Sequence, residues 1–221
     1  MRASSGLSAR GKPAPARKGE PGARSSGLRP LLAFAAAMAV GRTAAARLAL
    51  GAARRAGVPR VAAEETALML MLHAGYPAAL EGARTLNQAW PGRARRTRAG
   101  SPRDWRRRGA ARGARVYGPS FAKLRRNVAA LHPDLAVWMI EQGYGRVLAR
   151  RGLSAIAREL VAVAVLAATG WERQLLSHLR GAERIGATRM ATRGALRAGL
   201  LRADAARRAA AGRAWRGAFG R

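Results

Sequence analysis

A segment of 29 residues recurs 129 positions later in the chain, and this repeat constrains the fold more than any other feature of the sequence. Residues 29–57 align without gaps on residues 158–186 with ten identities, one of which pairs Gly41 with Gly170. Four of the ten are alanine pairs, which arise readily in a chain so rich in alanine. The repeat predicts two structural units of the same kind, each a helical hairpin, joined in tandem.

Strong helix formers occupy almost the whole chain after its first residues. Ala, Leu, Arg and Glu predominate, and no stretch shows the sustained alternation of β-branched residues that is typical of strands. Ser101-Pro102 supplies a helix start, and Gly75-Tyr76-Pro77 ends one helix and opens the next. We therefore predict an all-α protein. The predicted helices cover residues 29–41, 43–56, 61–73, 77–90, 103–115, 119–131, 133–149, 154–169, 171–186 and 190–217.

Basic residues dominate the charge of this 221-residue, arginine-rich chain, which has 42 Lys and Arg, 11 Asp and Glu and a net charge of +31. Residues 1–30, 93–126 and 180–221 hold +6, +12 and +9 of that charge, so the apolar blocks between them are nearly neutral. Basic runs of this kind are typical of nucleic-acid binding. Because a GC-rich genome also favours Arg, Ala and Gly, the charge predicts nucleic acid only as an alternative partner.

We expect five segments along the chain, and the bounds of the two repeat units among them follow from a family resemblance given below. Residues 1–28 are rich in Ser, Gly, Pro and Arg and are expected to form a disordered basic arm. The two repeat units are expected at 29–90 and 116–200, with a basic linker and helix at 91–115 between them and a basic C-terminal helix or tail at 201–221. No apolar run reaches the ~20 residues of a membrane span. We therefore expect a soluble, cytoplasmic protein with no membrane partner.

The chain contains no cysteine and only three histidines. The absence of cysteine excludes disulfides, thiolate catalysis and Cys-ligated zinc within these residues. His73, His132 and His178 are not spaced with acidic residues as in metal sites, so neither a metal nor another cofactor is expected. His73 at a helix end and His132 before a proline are interpreted as structural residues, with a place in a pocket wall as the alternative for His73.

The second repeat unit holds an acidic residue in an apolar helix and a histidine in the helix that follows. Glu159 precedes Gly170 by 11 residues and His178 follows it by 8. At ~1.5 Å per residue, the two side chains lie nearly level in an antiparallel hairpin and can meet. A carboxylate beside an imidazole fixes its tautomer and suits it to acid–base work. The alternative is that Glu159 pairs with an arginine and His178 is a core residue.

Several motifs around this pair resemble a known family. They are the turn Gly152-Leu153-Ser154, the triplet Arg158-Glu159-Leu160, and the helix of His178 with Gly181-Ala182 and Gly186-Ala187. In these motifs, residues 116–200 resemble the carboxymuconolactone decarboxylase family, which includes the AhpD-like peroxidases. Residues 29–90 are similar to it only weakly, as a degenerate first copy. The resemblance implies an AhpD-like helical bundle and a homo-oligomer.

The resemblance also implies two kinds of chemistry. In the peroxidase branch a Glu, a C-x-x-C pair and a His form the site; Glu159 and His178 match the Glu and the His, while Trp171 and Gln174 stand at the cysteine positions. The peroxiredoxin or alkylhydroperoxidase activity that the family label carries is therefore not expected here. The decarboxylase branch, a lyase, needs no cysteine and would use His178 as acid or base. That branch has a Glu where Gln174 stands.

The first copy lacks both side chains of the pair. In the alignment of the two copies, Pro30 stands at the position of Glu159 and Ala49 at that of His178. The first copy is therefore interpreted as scaffold, and the second as the carrier of any chemistry.

Together these observations favour an enzyme or degenerate enzyme that performs acid–base chemistry on a small lactone or carboxylate. The predicted catalytic residues are Glu159 and His178, and the predicted substrate-binding residues are Gln174, Trp171 and Arg158. The basic surroundings favour a small anionic substrate. A non-catalytic oligomeric scaffold and a basic nucleic-acid-binding protein are the two alternatives.

Overall fold

The computed structural model describes residues 25–94 and 100–220, and within them every regular element is helical. The predicted all-α fold is therefore confirmed. Residues 1–24 of the predicted arm, residues 95–99 of the predicted linker and the last residue lie outside the described part. The α-helices are α1 Ser25–Ala39, α2 Thr43–Arg55, α3 Arg60–His73, α4 Gly75–Ala89, α5 Pro102–Tyr117, α6 Phe121–Leu131, α7 Pro133–Trp138, α8 Ala155–Thr169, α9 Glu172–Arg184, α10 Arg189–Leu200 and α11 Ala205–Phe219.

Two further helical segments join these elements. A 3₁₀ turn, Gly118–Ser120, links α5 to α6, and a π-helix, Met139–Leu148, continues α7. The predicted helix over 133–149 is thus present, but its second part has the wider π geometry. The predicted break in the last basic helix lies between α10 and α11. Across the described residues, no helix is both long and apolar enough to cross a membrane.

The helices of the two copies correspond at one fixed offset. Moving α1–α4 forward by 129 residues places them on α8–α11, with ends that agree to within two residues. Gly41 and Gly170, aligned in the repeat, follow α1 and α8 with φ values of 73° and 85°. Glycine adopts this left-handed conformation without the steric cost that a Cβ brings. The shared glycines therefore end equivalent helices in the same way, as expected of a tandem duplication.

The two copies pack on each other reciprocally. α1 contacts α8 at the centre of the molecule, while α3 of the first copy contacts α8 and α10 of the second copy contacts α1. Within each copy, the first helix also packs on the second. Because of this exchange, α8 is enclosed on several sides, and its residues from Ala157 to Ala168 are all buried. The helix that carries Glu159 is thus held by helices of both copies.

The α5 helix packs against the π-helix through two glycines. A Cβ built on Gly109 would overlap the carbonyl oxygen of Ile140, and one on Gly145 would overlap the carbonyl oxygen of Trp105. The two backbones therefore touch directly. Since α5 also contacts α9, this part of the basic segment between the copies belongs to the packed fold.

This close approach makes Gly109 intolerant of any side chain. We expect Gly109→Ala to lower the free energy of unfolding by about 1–3 kcal/mol, because the backbone of the π-helix must move to admit the methyl group. The matched control is Gly194→Ala in α10, where a Cβ meets nothing within 4 Å. That substitution should stabilise the protein by about 0.5–1 kcal/mol through helix propensity. Urea unfolding measures both, and equal effects at the two positions would contradict the packing described.

Candidate active site

Helices α8 and α9 are bounded by residues that fix their register. The Ser154 side chain caps α8 by accepting a hydrogen bond from the backbone N–H of Ala157 at 3.2 Å. Gly170, in the left-handed conformation, ends α8 and lets the chain turn back into α9. The hairpin brings Glu159, near the start of α8, alongside His178, in the middle of α9.

Glu159 and His178 form a buried hydrogen-bonded pair. The Nδ1 atom of His178 lies 2.8 Å from Oε2 of Glu159, and the two residues are 7% and 3% exposed. A carboxylate only accepts hydrogen bonds, so it holds the proton on Nδ1. In the neutral ring, Nε2 is then the nitrogen that can take up a proton. The pair therefore has the arrangement of a base oriented by a carboxylate.

A residue of the first copy completes this cluster. His73, the last residue of α3, lies against His178, with ring centroids 5.2 Å apart and planes at 88°. Its Nε2 is buried and has no hydrogen-bond partner. Burial, and next the neighbouring His178, lower the pKa of His73 to about 3. His73 is therefore neutral at any ordinary pH, and its interpretation as a helix-end structural residue missed this contact.

The lowered pKa of His73 predicts a dependence of stability on pH. The unfolded chain binds a proton at His73 below about pH 6.5, whereas the folded chain does not until about pH 3. Between these values, wild type should lose stability relative to His73→Phe as the pH falls, by about 1.4 kcal/mol per pH unit. Urea unfolding at several pH values measures this difference. Parallel curves for wild type and His73→Phe would show that His73 is not held neutral, and His132→Phe, which changes an exposed histidine, is the control.

Two tyrosines lie beside the pair. The hydroxyl of Tyr144, on the π-helix, donates to the hydroxyl of Tyr117, at the end of α5, over 2.6 Å. Burial raises the pKa of Tyr117 to about 12; the Tyr144 bond opposes this shift, and the charge of Glu159 adds to it. Burial is also the main reason that the pKa of Tyr144 is raised, with Tyr117 and Glu159 contributing. Both hydroxyls therefore stay protonated and can donate.

A cavity of about 310 Å³ lies between α9 and the segment from α5 to α6, and Glu159, His178 and His73 are not among its lining residues. Its wall includes Tyr117 and Gly181, and a Cβ built on Gly181 would lie 3.1 Å from Oε2 of Glu159. Only a glycine at this position lets the cavity wall approach the carboxylate so closely. Lys123, Arg180 and Arg184 also line the cavity, and no acidic residue does among those described. The cavity is therefore suited to an anion.

Arg158 lies apart from the pair, although it precedes Glu159 in sequence. Its Nη2 donates to Oε2 of Glu65 at 2.8 Å and to the carbonyl oxygens of Arg150 and Arg151. Arg150 also binds both carboxylate oxygens of Glu65. Arg158 is 1% exposed and Glu65 3%. The structure thus places Arg158 in a buried ion cluster that ties α3 to α8, rather than on the cavity.

The other predicted site residues and the basic segment are also located. Trp171 is 60% exposed and precedes α9, and Gln174, one turn before His178, is exposed as well. The exposed His132 caps α7 by accepting a hydrogen bond from the backbone N–H of Asp134.

In the basic segment, the half-buried Trp105 lies under the guanidinium of Arg146, so this aromatic ring is already covered on one face. The described residues contain no cluster of His, Asp and Glu that could hold a metal ion.

The structure adds residues to the site that sequence reasoning did not find. His73 and Tyr117 come from α3 and α5, which are remote from Glu159 in sequence, and Tyr144 comes from the nearer π-helix. The Gly75-Tyr76-Pro77 break after His73 gave no sign of the contact with His178. Glu65 has only its place in an apolar helix as a signal. The positions of His73, the two tyrosines and Glu65 all depend on how the two copies and the helices between them pack.

Residues 133–218 match the carboxymuconolactone decarboxylase family. The match covers α7 to α11 and includes Glu159 and His178, and it confirms the resemblance of the second copy. It extends past residue 200, where the resemblance placed the end of that unit, and covers nearly all of α11, whose counterpart in the first copy is α4. No curated protein matches the chain with significance. Residues 133–218 of this all-α chain, from α7 to α11, are therefore similar to the carboxymuconolactone decarboxylase family.

Proposed function

We propose that the chain is an acid–base enzyme that acts on a small anionic lactone or carboxylate. The observation that carries this proposal is the buried contact between Nδ1 of His178 and Oε2 of Glu159, beside a cavity with a cationic lining. The family of residues 133–218 includes decarboxylases, in keeping with a lyase reaction. The match to the family covers residues 133–218, while the reaction and its substrate belong to the proposal.

In this proposal, His178 transfers protons and Glu159 positions it. Glu159 holds the Nδ1 proton, so Nε2 accepts a proton from the substrate or returns one to it. Glu159 also stabilises the imidazolium that forms when Nε2 takes up a proton. In a decarboxylation, the C–C bond to the carboxylate breaks, its electron pair stays on the carbon, and His178 delivers a proton to that carbon as CO₂ leaves.

The cationic lining supports an anionic substrate. Lys123, Arg180 and Arg184 place three positive charges on one cavity without a lining carboxylate. A substrate carboxylate bound there would lie next to Gly181. On the other side of Gly181 lies the carboxylate of Glu159, which binds His178. Arg158 is not available for this role in the described structure because it binds Glu65. Gln174 and Trp171 remain proposed contacts for a substrate at the exposed side of α9.

A thiol peroxidase reaction is not part of the proposal. The residues at the two cysteine positions of the peroxidase branch are Trp171 and Gln174, and the chain holds no cysteine elsewhere. Without a thiolate there is no nucleophile for a peroxide oxygen.

Self-association belongs to the proposal as well. The α6–α7 hairpin exposes Leu131, Leu135 and Trp138, with exposed fractions of 80%, 47% and 52%. Apolar side chains clustered on a surface are typical of protein–protein contacts. Light scattering on the purified chain should therefore give a mass above that of one chain, and the double variant Leu131→Glu, Trp138→Glu should have a lower mass. A monomeric mass for wild type as well as for the variant would rule out self-association.

The proposal is tested by screening the full chain against small lactones and carboxylates. The panel contains carboxylated lactones, uncharged lactones of the same ring size, and β-keto and unsaturated carboxylates. We expect lactone consumption or CO₂ release for anionic members, and none for the uncharged lactones, because the cavity lining is cationic. Turnover that favours the uncharged members would overturn the assignment of the cationic cavity.

A cavity variant gives the matched control. Arg180→Gln and Arg184→Gln together remove two of the lining charges and should raise KM for an anionic substrate more than they lower kcat. Arg126→Gln removes a charge from the outward side of α6 and should change neither. No turnover of any panel member by wild type, with the chain folded, would leave the scaffold alternative as the better account.

A further inference from the structure

The strongest feature that the proposed function leaves unused is His73. It is supplied by α3 of the first copy, which was interpreted as scaffold, yet it touches the proposed catalytic histidine of the second copy. Its Nε2 is buried without a partner, which is rare for a polar atom in a folded protein because the lost hydrogen bond with water is costly. This nitrogen belongs to a ring that contacts His178, so it is left with a hydrogen bond to offer a molecule bound there.

The two copies are unequal at these positions. In the alignment of the copies, His73 corresponds to Arg202, while His178 and Glu159 correspond to Ala49 and Pro30. The reciprocal packing of α3 on α8 and of α10 on α1 would produce two equivalent sites if the copies were identical. The second of these positions has none of the three side chains. One composite site therefore remains, built from one histidine of the first copy and the Glu–His pair of the second.

A second observation fixes the position of His73. Glu65 lies two turns before His73 on α3, and its carboxylate binds Arg158 of α8 in a buried ion cluster. Arg158 is the neighbour of Glu159 on α8. The ion cluster thus holds α3 on the helix that carries Glu159, and it keeps His73 from shifting along that helix.

We propose that His73 is a ligand-binding residue of the Glu159–His178 site, and that its imidazole donates a hydrogen bond from Nε2 to a carbonyl or carboxyl oxygen of the lactone or carboxylate bound against His178. This inference rests on the proposed function and deepens it by adding a substrate contact from the first copy. A neutral donor aimed at such an oxygen stabilises the negative charge that develops there without giving up its proton. His178 would move the proton while His73 holds the oxygen.

The test uses the full chain labelled with ¹⁵N-histidine, because three histidines give three assignable ring systems. The probe is 5-oxotetrahydrofuran-2-carboxylate, a small lactone with one carboxylate, and γ-butyrolactone is its uncharged counterpart. The variants are His73→Phe, which keeps a buried ring without a donor, and His73→Gln, which keeps an N–H near the position of Nε2. His132→Phe is the matched control on the surface.

The expected result is a shift of the ring nitrogens of His73 and His178, but not of His132, when the carboxylated probe is added. His73→Phe should weaken probe binding about tenfold through the lost hydrogen bond, while His73→Gln should stay within about threefold of wild type. If His73→Phe does not fold, the contact of His73 with the probe is tested by the nitrogen shifts of wild type together with the affinity of His73→Gln.

The outcomes separate this inference from the proposed function. A shift at His178 with no shift at His73 and equal affinity in His73→Phe overturns the role of His73 and leaves the proposed function intact. Shifts at both histidines without turnover of any substrate overturn the proposed reaction and support His73 as a ligand contact. No shift at any histidine with either lactone overturns both.

Discussion

Replacing His178 with alanine is expected to lower kcat on the substrate found in the screen by about 10²–10⁴-fold, the contribution of a general acid or base. The Nε2 of His178 is the basic nitrogen of the site, because Glu159 holds the proton on Nδ1 over 2.8 Å. KM should change much less, since the cavity cations that bind the substrate stay in place. Steady-state kinetics over a range of substrate concentrations separates the two effects.

Two further variants make this prediction specific. Glu159→Gln keeps the size of the side chain but removes the charge that stabilises the imidazolium, so kcat should fall by about 10²-fold. His132→Ala removes an exposed histidine of the α7 cap and should leave kcat unchanged. If His178→Ala and His132→Ala had the same kcat as wild type, the reaction would not pass through the pair.

Replacing Glu65 with glutamine is expected to have the largest effect on stability. Glu65 is 3% exposed and binds the guanidinium groups of Arg150 and Arg158. Burial lowers the pKa of Arg158, and the hydrogen bond and charge of Glu65 oppose that shift. Without the carboxylate, Arg158 is a buried charge without its counter-ion, so the free energy of unfolding should fall by about 3–5 kcal/mol. Urea unfolding measures the change without screening the charges.

The neighbouring residue supplies the control. Glu64 pairs with Arg60, which lies one turn earlier on the more exposed side of α3, and Glu64→Gln should cost no more than about 1 kcal/mol. The double change Glu65→Leu with Arg158→Met removes both buried charges and should recover most of the loss. Equal costs for Glu64→Gln and Glu65→Gln, or no recovery in the double variant, would contradict a buried ion cluster.

Local patterns predicted the helices and the central pair well. The Ser101-Pro102 start and the Gly170 turn lie where the sequence placed them, because caps and left-handed glycines act within a few residues. The distances of Glu159 and His178 to Gly170 allowed their contact as one of two alternatives, since the rise per residue of a helix is constant, and the structure shows that contact. The fixed offset of 129 residues extended from the aligned segment to all four helices of each copy.

Local sequence patterns did not predict the contacts between segments that are distant in sequence. Arg158 was expected to bind the substrate as part of the basic surroundings of the pair, but consecutive residues on a helix point in different directions, and its side chain reaches Glu65. His73 meets His178 only because α3 packs on α8 across the boundary of the copies. No local signal in the sequence specifies that packing.

The central claim is that His178, positioned by Glu159, transfers protons to and from a small anionic substrate. Proton NMR in D₂O tests it most directly, by following deuterium incorporation at the carbon next to the carboxylate or lactone carbonyl across the anionic panel. A proton donated by His178 comes from solvent, so wild type and His132→Ala should incorporate deuterium, while His178→Ala and Glu159→Gln should be slowed by about 10²-fold or more. Incorporation at the wild-type rate in His178→Ala, or none by wild type with any anionic member, would contradict the account.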